Sequence, residues 1–191
     1  MLVLKNALDN KPIASIQSGH RVAVSGEMIL DPRDLRVFAF HASMPNRDDL
    51  VLHTEDIRSI TPQGIVIDNN DQLMSLDDDL VRLKKVTDIN FQLLDKLVYT
   101  EDRKKLGKVS NFVVEIEGFL IMKLYVARSM MKSLGTSQLI IDRSQVVQVT
   151  DDKIIVKSTA VKERSGSLKQ AFFGKPLSLS ADSIKSDSQN K

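Results

Sequence analysis

Residues 106–126 read LGKVSNFVVEIEGFLIMKLYV. Apolar side chains occupy alternate or consecutive positions in two runs, separated by the short turn Glu115-Ile116-Glu117-Gly118, which is the pattern of a β-hairpin. Residues 22–42, VAVSGEMILDPRDLRVFAFHA, carry the same pattern around Asp31-Pro32-Arg33-Asp34. Sliding the earlier stretch by 84 places Met28 on Phe112, Ile29 on Val113, Leu30 on Val114, Asp31 on Glu115, Val37 on Ile121 and Phe40 on Leu124. The match is one of chemistry and not of identity. It predicts a duplicated β module.

The flanks extend the repeat. Leu8-Asp9-Asn10-Lys11-Pro12-Ile13-Ala14-Ser15 is echoed by Leu93-Leu94-Asp95-Lys96-Leu97-Val98-Tyr99-Thr100 at an offset of 85. A polar residue before Lys and then a β-former reads as a turn feeding a strand, and Pro12 at the start of a strand forfeits no needed N–H. Loops are expected over 43–49 and 127–137. After them the offset becomes 89, pairing Leu50 with Leu139, Leu52 with Ile141, Ile57 with Val146, Ile65 with Ile154 and Ile67 with Val156. The second loop is thus five residues longer. Pro62-Gln63-Gly64 and Asp151-Asp152-Lys153 read as tight turns.

Several short strands with polar turns predict a mainly all-β chain built as two small six-stranded barrels, closure removing exposed edges. The expected organisation is a first module over 1–75, a connecting segment over 76–90, a second module over 91–163 and a disordered tail over 164–191. In the connector, a helix is expected from Asp77 to Lys85, with Ser75 as N-cap, acidic residues leading, basic residues trailing and Leu76, Leu80 and Leu83 on one stripe. The tail is rich in Ser, Lys, Gly and Asp, interrupted by the apolar run Ala171-Phe172-Phe173-Gly174-Lys175-Pro176-Leu177.

The hairpin and its flanks resemble the PRC-barrel family. The resemblance is carried in the second copy by Leu93–Val98, Lys105-Leu106-Gly107-Lys108-Val109 and Phe112–Glu115. The first copy has Ala23 where the second has Gly107, and rests on Asp31-Pro32 and Val37–Phe40. The resemblance implies a six-stranded barrel per copy, acting as a docking or adaptor surface, with no shared catalytic residues. Relatives of this kind associate with ribosomes, membrane complexes or other protein partners.

Composition narrows the chemistry. The 191 residues include no cysteine, so thiolate chemistry and disulfides are excluded, and a cytoplasmic location is expected. The opening Met1-Leu2-Val3-Leu4 run is too short for a signal peptide, and no uncharged apolar stretch nears the ~20 residues of a membrane span. The net charge is +2, with residues 1–86 mildly acidic, residues 87–163 mildly basic and the tail basic. Charge this small predicts neither DNA nor RNA binding by itself. His20, His41 and His53 lack the spacing of a metal motif. No nucleophile elbow, phosphate loop or separated carboxylate pair occurs. We therefore expect no enzymatic activity, no catalytic residue, no metal and no cofactor.

Two surfaces remain. The longer second loop, with Arg128, Met130, Met131, Lys132 and Leu134, joins Phe172 and Phe173 of the tail as the expected protein-partner site, because adjacent methionines beside basic residues make an adaptable surface. The alternative is an RNA- or ribosome-associated factor using Arg103, Lys104, Lys105 and Lys108, although the chain has no Trp and two Tyr to stack on bases. The sequence fixes neither the oligomeric state nor the identity of a partner.

Overall fold

A computed structural model describes residues 1–78, 91–128 and 138–158. Fourteen strands lie among them, with four short 3-10 turns. They are β1 (Leu2–Leu4), β2 (Pro12–Ser15), β3 (His20–Asp31), β4 (Arg36–Met44), β5 (Arg47–His53), β6 (Ile57–Ile60), β7 (Ile65–Ile67) and β8 (Leu73–Ser75), then β9 (Leu97–Thr100), β10 (Lys105–Glu115), β11 (Leu120–Ala127), β12 (Gln138–Asp142), β13 (Val146–Val149) and β14 (Lys153–Val156). The two stretches that announced hairpins are the β3–β4 and β10–β11 pairs.

In the first half the hydrogen-bonded order is β6-β7-β2-β3-β4-β5, and in the second it is β13-β14-β9-β10-β11-β12. Each ladder has one parallel contact, β2 with β7 and β9 with β14. Left-handed backbone recurs at the same offsets: Asn10 and Asp95, Gly19 and Arg103, Leu35 and Phe119. So do smaller contacts. Lys11 Nζ donates to the Pro62 carbonyl and Lys96 Nζ to that of Asp151, while Thr61 and Thr150 close their turns on Gly64 and Lys153.

The expected barrels do not close by hydrogen bonding. Among the described residues β5 does not pair with β6, nor β12 with β13. A 3-10 turn intervenes in each case, Thr54–Asp56 or Arg143–Gln145. A three-residue connection spans at most ~14 Å, whereas six strands laid flat would separate the end strands by ~24 Å. Each ladder is therefore curled until its ends meet through a covalent turn instead of a pairing.

Curling encloses the apolar faces. Ile13, Val22, Ala42, Leu50, Leu52, Ile65 and Ile67 form the first half's core. A larger core joins Phe112, Leu124, Leu139, Ile141 and Ile154 of the second half to Leu30, Leu35, Val37 and Phe40 of the first, so the halves share one interior.

One local expectation changes and the structure adds further detail. The loop expected over 43–49 shrinks to Pro45 and Asn46, because β4 and β5 pair as far as Met44 and Arg47. The opening apolar run is a strand, β1, paired with β10. Leu73–Ser75 forms β8 on the outer edge of β5, and the Ser75 hydroxyl, read as a helix cap, donates to Asp49 Oδ2 at 3.2 Å. Residues 76–78 are helical, and the remainder of the expected helix lies outside the described residues.

Gly107 sits at φ 153°, with a Cβ position only 2.1 Å from the Ala127 carbonyl oxygen. Gly19 has φ 73° but open space around it. In urea unfolding, Gly107→Ala should cost at least about 2 kcal/mol by forcing β10 from β11, and Gly19→Ala about 1 kcal/mol from backbone strain alone.

Candidate functional site

The halves meet where their hairpin tips touch. The Val37 N–H donates to the Phe119 carbonyl at 2.9 Å and the Ile121 N–H donates to the Leu35 carbonyl at 2.8 Å, bracketing the pairing of Arg36 with Leu120. An offset of 84 converts each bond into the other. Leu35 and Phe119 are left-handed, with φ 45° and 53°. That conformation costs a non-glycine residue ~1–2 kcal/mol. It turns both carbonyls into the joint, while Leu35 stays buried and Phe119 meets Phe40 edge-on at 6.4 Å. Arg143 Nη1 also donates to the Leu35 carbonyl at 3.0 Å.

Each tip is shaped by a carboxylate. Asp31 accepts from the Arg33 backbone N–H and Nε at 3.0 and 2.9 Å, and from Nη2 at 2.5 Å. Burial opposes the charged form of Asp31, but the hydrogen bonds from Arg33 and the charges of Arg33 and Arg36 outweigh it and lower its pKa. Glu115 accepts from the Gly118 and Glu117 N–H groups at 2.7 and 2.8 Å, which lower its pKa.

A cleft opens beside each tip. One, about 760 Å³, lies between residues 32–35 of the first half and the 3-10 turn and β13 of the second. The other, about 660 Å³, lies between residues 116–119 of the second half and the 3-10 turn and β6 of the first. Substitution has made them unlike. Val147, half exposed, faces the first cleft where its counterpart Arg58 lines the second, and Ser144 stands where Glu55 does. Arg143 in turn stands in the first cleft where Thr54 lines the second, so the two differ in where their charges sit. Sequence reading missed both clefts because each takes one wall from either half.

The residues singled out from sequence fall in three places. Arg103, Lys104, Lys105 and Lys108 are all exposed on the β9–β10 turn and the start of β10. The Arg103 N–H donates to the Thr100 carbonyl at 2.9 Å, which holds the turn in its left-handed form. Arg103 shares a cleft of about 660 Å³ with Leu97, Tyr99, Ile155, Glu101 and Asp152, so acidic groups border the cationic cluster. Arg128 is half-buried just beyond the end of β11. Met130, Met131, Lys132, Leu134, Phe172 and Phe173 lie outside the described residues.

The histidines occupy separate settings. His20 is exposed, with Nδ1 2.9 Å from the Ser18 carbonyl oxygen; His41 is half-buried on β4; His53 is buried with its ring edge-on to Phe38 at 5.0 Å. Among the described residues no three His, Cys, Asp or Glu side chains group as metal ligands, and no helix is long and apolar enough to cross a membrane.

Comparison with known proteins gives a match to a family model. Residues 91–162, which run from the buried Phe91 past the end of β14, fit the family model described as the PRC-barrel domain. No curated protein matches the chain.

The two carboxylates set a pH dependence. Because the folded pKa of each lies below its unfolded value, their stabilisation is complete above the unfolded pKa and is lost as pH falls through the folded one. Between pH 7 and pH 3, the chain with Asp31→Asn and Glu115→Gln together should lose less stability than the unsubstituted chain, as followed by urea midpoints. Parallel loss in both would remove these groups from the acid response.

Proposed function

Since residues 91–162 match the family model of the PRC-barrel domain, we propose that this protein is a non-enzymatic adaptor that holds a protein partner, and that residues 1–75 are a second module of the same kind. The shared strand order, the paired left-handed residues and the matched Lys and Thr turn contacts support the second part. The observation that carries the adaptor reading is a difference between equivalent hairpins. Two residues join β4 to β5, whereas ten, 128–137, join β11 to β12. A scaffold keeps such an insertion on its surface, where it is free to carry contacts. Met130, Met131 and Leu134 then supply apolar, adaptable contact area and Arg128 and Lys132 its charged border, with Phe172 and Phe173 as a second anchor.

A ribosome- or RNA-associated role is the second reading. The exposure of Arg103, Lys104, Lys105 and Lys108 over the β9–β10 turn and the start of β10 favours it, and Glu101 and Asp152, which share a cleft with Arg103, weigh against it.

Affinity capture from lysate, with and without ribonuclease, separates the two. In the adaptor reading the captured protein survives ribonuclease and is lost, with the urea midpoint unchanged, on deleting residues 130–134 or on replacing Phe172 and Phe173 by Ala. Capture that persists in both variants would refute it. In the RNA reading, four phosphate contacts on a single strand should weaken binding roughly 50-fold between 50 and 200 mM salt. A flat salt response would exclude that role.

A further inference from the structure

The two ladders end differently on the β5 and β12 side. The outer edge of β5 is covered by β8, with Leu50 opposite Ser75, Val51 opposite Met74 and Leu52 opposite Leu73. The counterparts of Leu50, Val51 and Leu52 are Leu139, Ile140 and Ile141 of β12, and among the described residues β12 pairs with β11 alone. The side chains record the same difference. Val51 is fully buried in a small outer cluster with Ile29 and Ala39, against which Leu76, just after β8, packs. Ile140 is only half-buried.

An edge with no partner among the described residues presents a row of N–H and C=O groups and accepts a strand in antiparallel register. The first half shows what such a strand is and where it comes from. It is a short segment of the same chain, separated by five residues from β7, the last strand to join its ladder. In the second half the ladder's last strand is β14, which ends at Val156, and the described chain stops at Ser158 with 33 residues to follow.

We propose that the chain's own tail completes the second ladder, with Leu177-Ser178-Leu179-Ser180 added to the free edge of β12. Within the apolar part of the tail, these residues alternate apolar and polar over four positions, the period of a strand with one covered face. Pairing puts Leu177 and Leu179 on one face beside Ile140 and sends the two serines to the other. The twenty residues between Val156 and Leu177 reach ~65 Å when extended, so the span is no obstacle. The added strand covers Ile140 as Leu76 and β8 cover Val51. It also keeps Phe172 and Phe173, five and four residues before Leu177, close to the module.

Residue-resolved amide exchange on the full chain tests this. The amides of Leu139–Ile141 that point away from β11, and alternate amides of 177–180, should exchange at least tenfold more slowly in the unsubstituted chain than in Leu179→Pro, a position outside the described residues. A synthetic peptide of residues 174–183 added to the Leu179→Pro chain should restore protection at β12. Equal exchange in the two chains would overturn the proposal, since the edge would then be bare or covered by something else. Protection that rises with protein concentration and survives Leu179→Pro would overturn it in favour of a second copy pairing through β12.

Discussion

The pair of backbone bonds between Leu35 and Ile121 and between Phe119 and Val37 is the constraint on which the architecture turns. It is short, and its net worth in water is only ~1–3 kcal/mol. Its effect is geometric. By fixing the tips against each other it carries Leu35, Val37 and Phe40 into the interior built around Phe112 and Leu124. Neither half then has a complete core of its own beside the joint. Small β modules of about 75 residues bury too little surface to be robust alone. Sharing an interior through strained, left-handed tips is how this chain meets that shortage.

Much of the fold was legible because strand signals are local. Alternation located β3, β4, β10 and β11, and Pro12 and Pro62-Gln63-Gly64 behaved as strand start and turn. The 84-residue offset aligned Val37 with Ile121, one residue of the joint from each half, but did not show that the tips meet. What escaped depends on distant partners. Nothing in Leu2-Val3-Leu4 distinguishes a frayed apolar end from a strand until β10 lies beside it, and Leu73-Met74-Ser75 is too short to declare a strand without β5. Closure was misjudged for a related reason. Periodicity reports which face of a strand is apolar but not whether the two end strands exchange hydrogen bonds. The charged turn at Arg103–Lys108 was readable as exposed, but the acidic neighbours Glu101 and Asp152 mattered only once the β9–β14 pairing brought Asp152 alongside.

The equivalence of the halves is loose where chemistry is concerned. Backbone features recur closely: left-handed residues, parallel contacts and lysine caps on turn carbonyls. Side chains exposed on the same frame diverge. Arg58 and Val147 occupy matching places in the two tip clefts, and so do Glu55 and Ser144. Such divergence is what a common scaffold allows, since an exposed position tolerates exchange and a strained turn does not.

The pairing of β1 with β10 also orders events in time. Leu2 lies opposite Glu115, 113 positions along the chain. During synthesis from the N-terminus, β1 waits for its partner until β10 has left the ribosome, and the larger core, which needs both hairpins, waits with it. The first half has β2–β5 and β7 in hand far earlier, so its ladder assembles first and presents the Asp31–Leu35 tip as a ready template. Maturation of this protein is then a docking of the late half onto the early one, with the opening strand added as the seam that ties them.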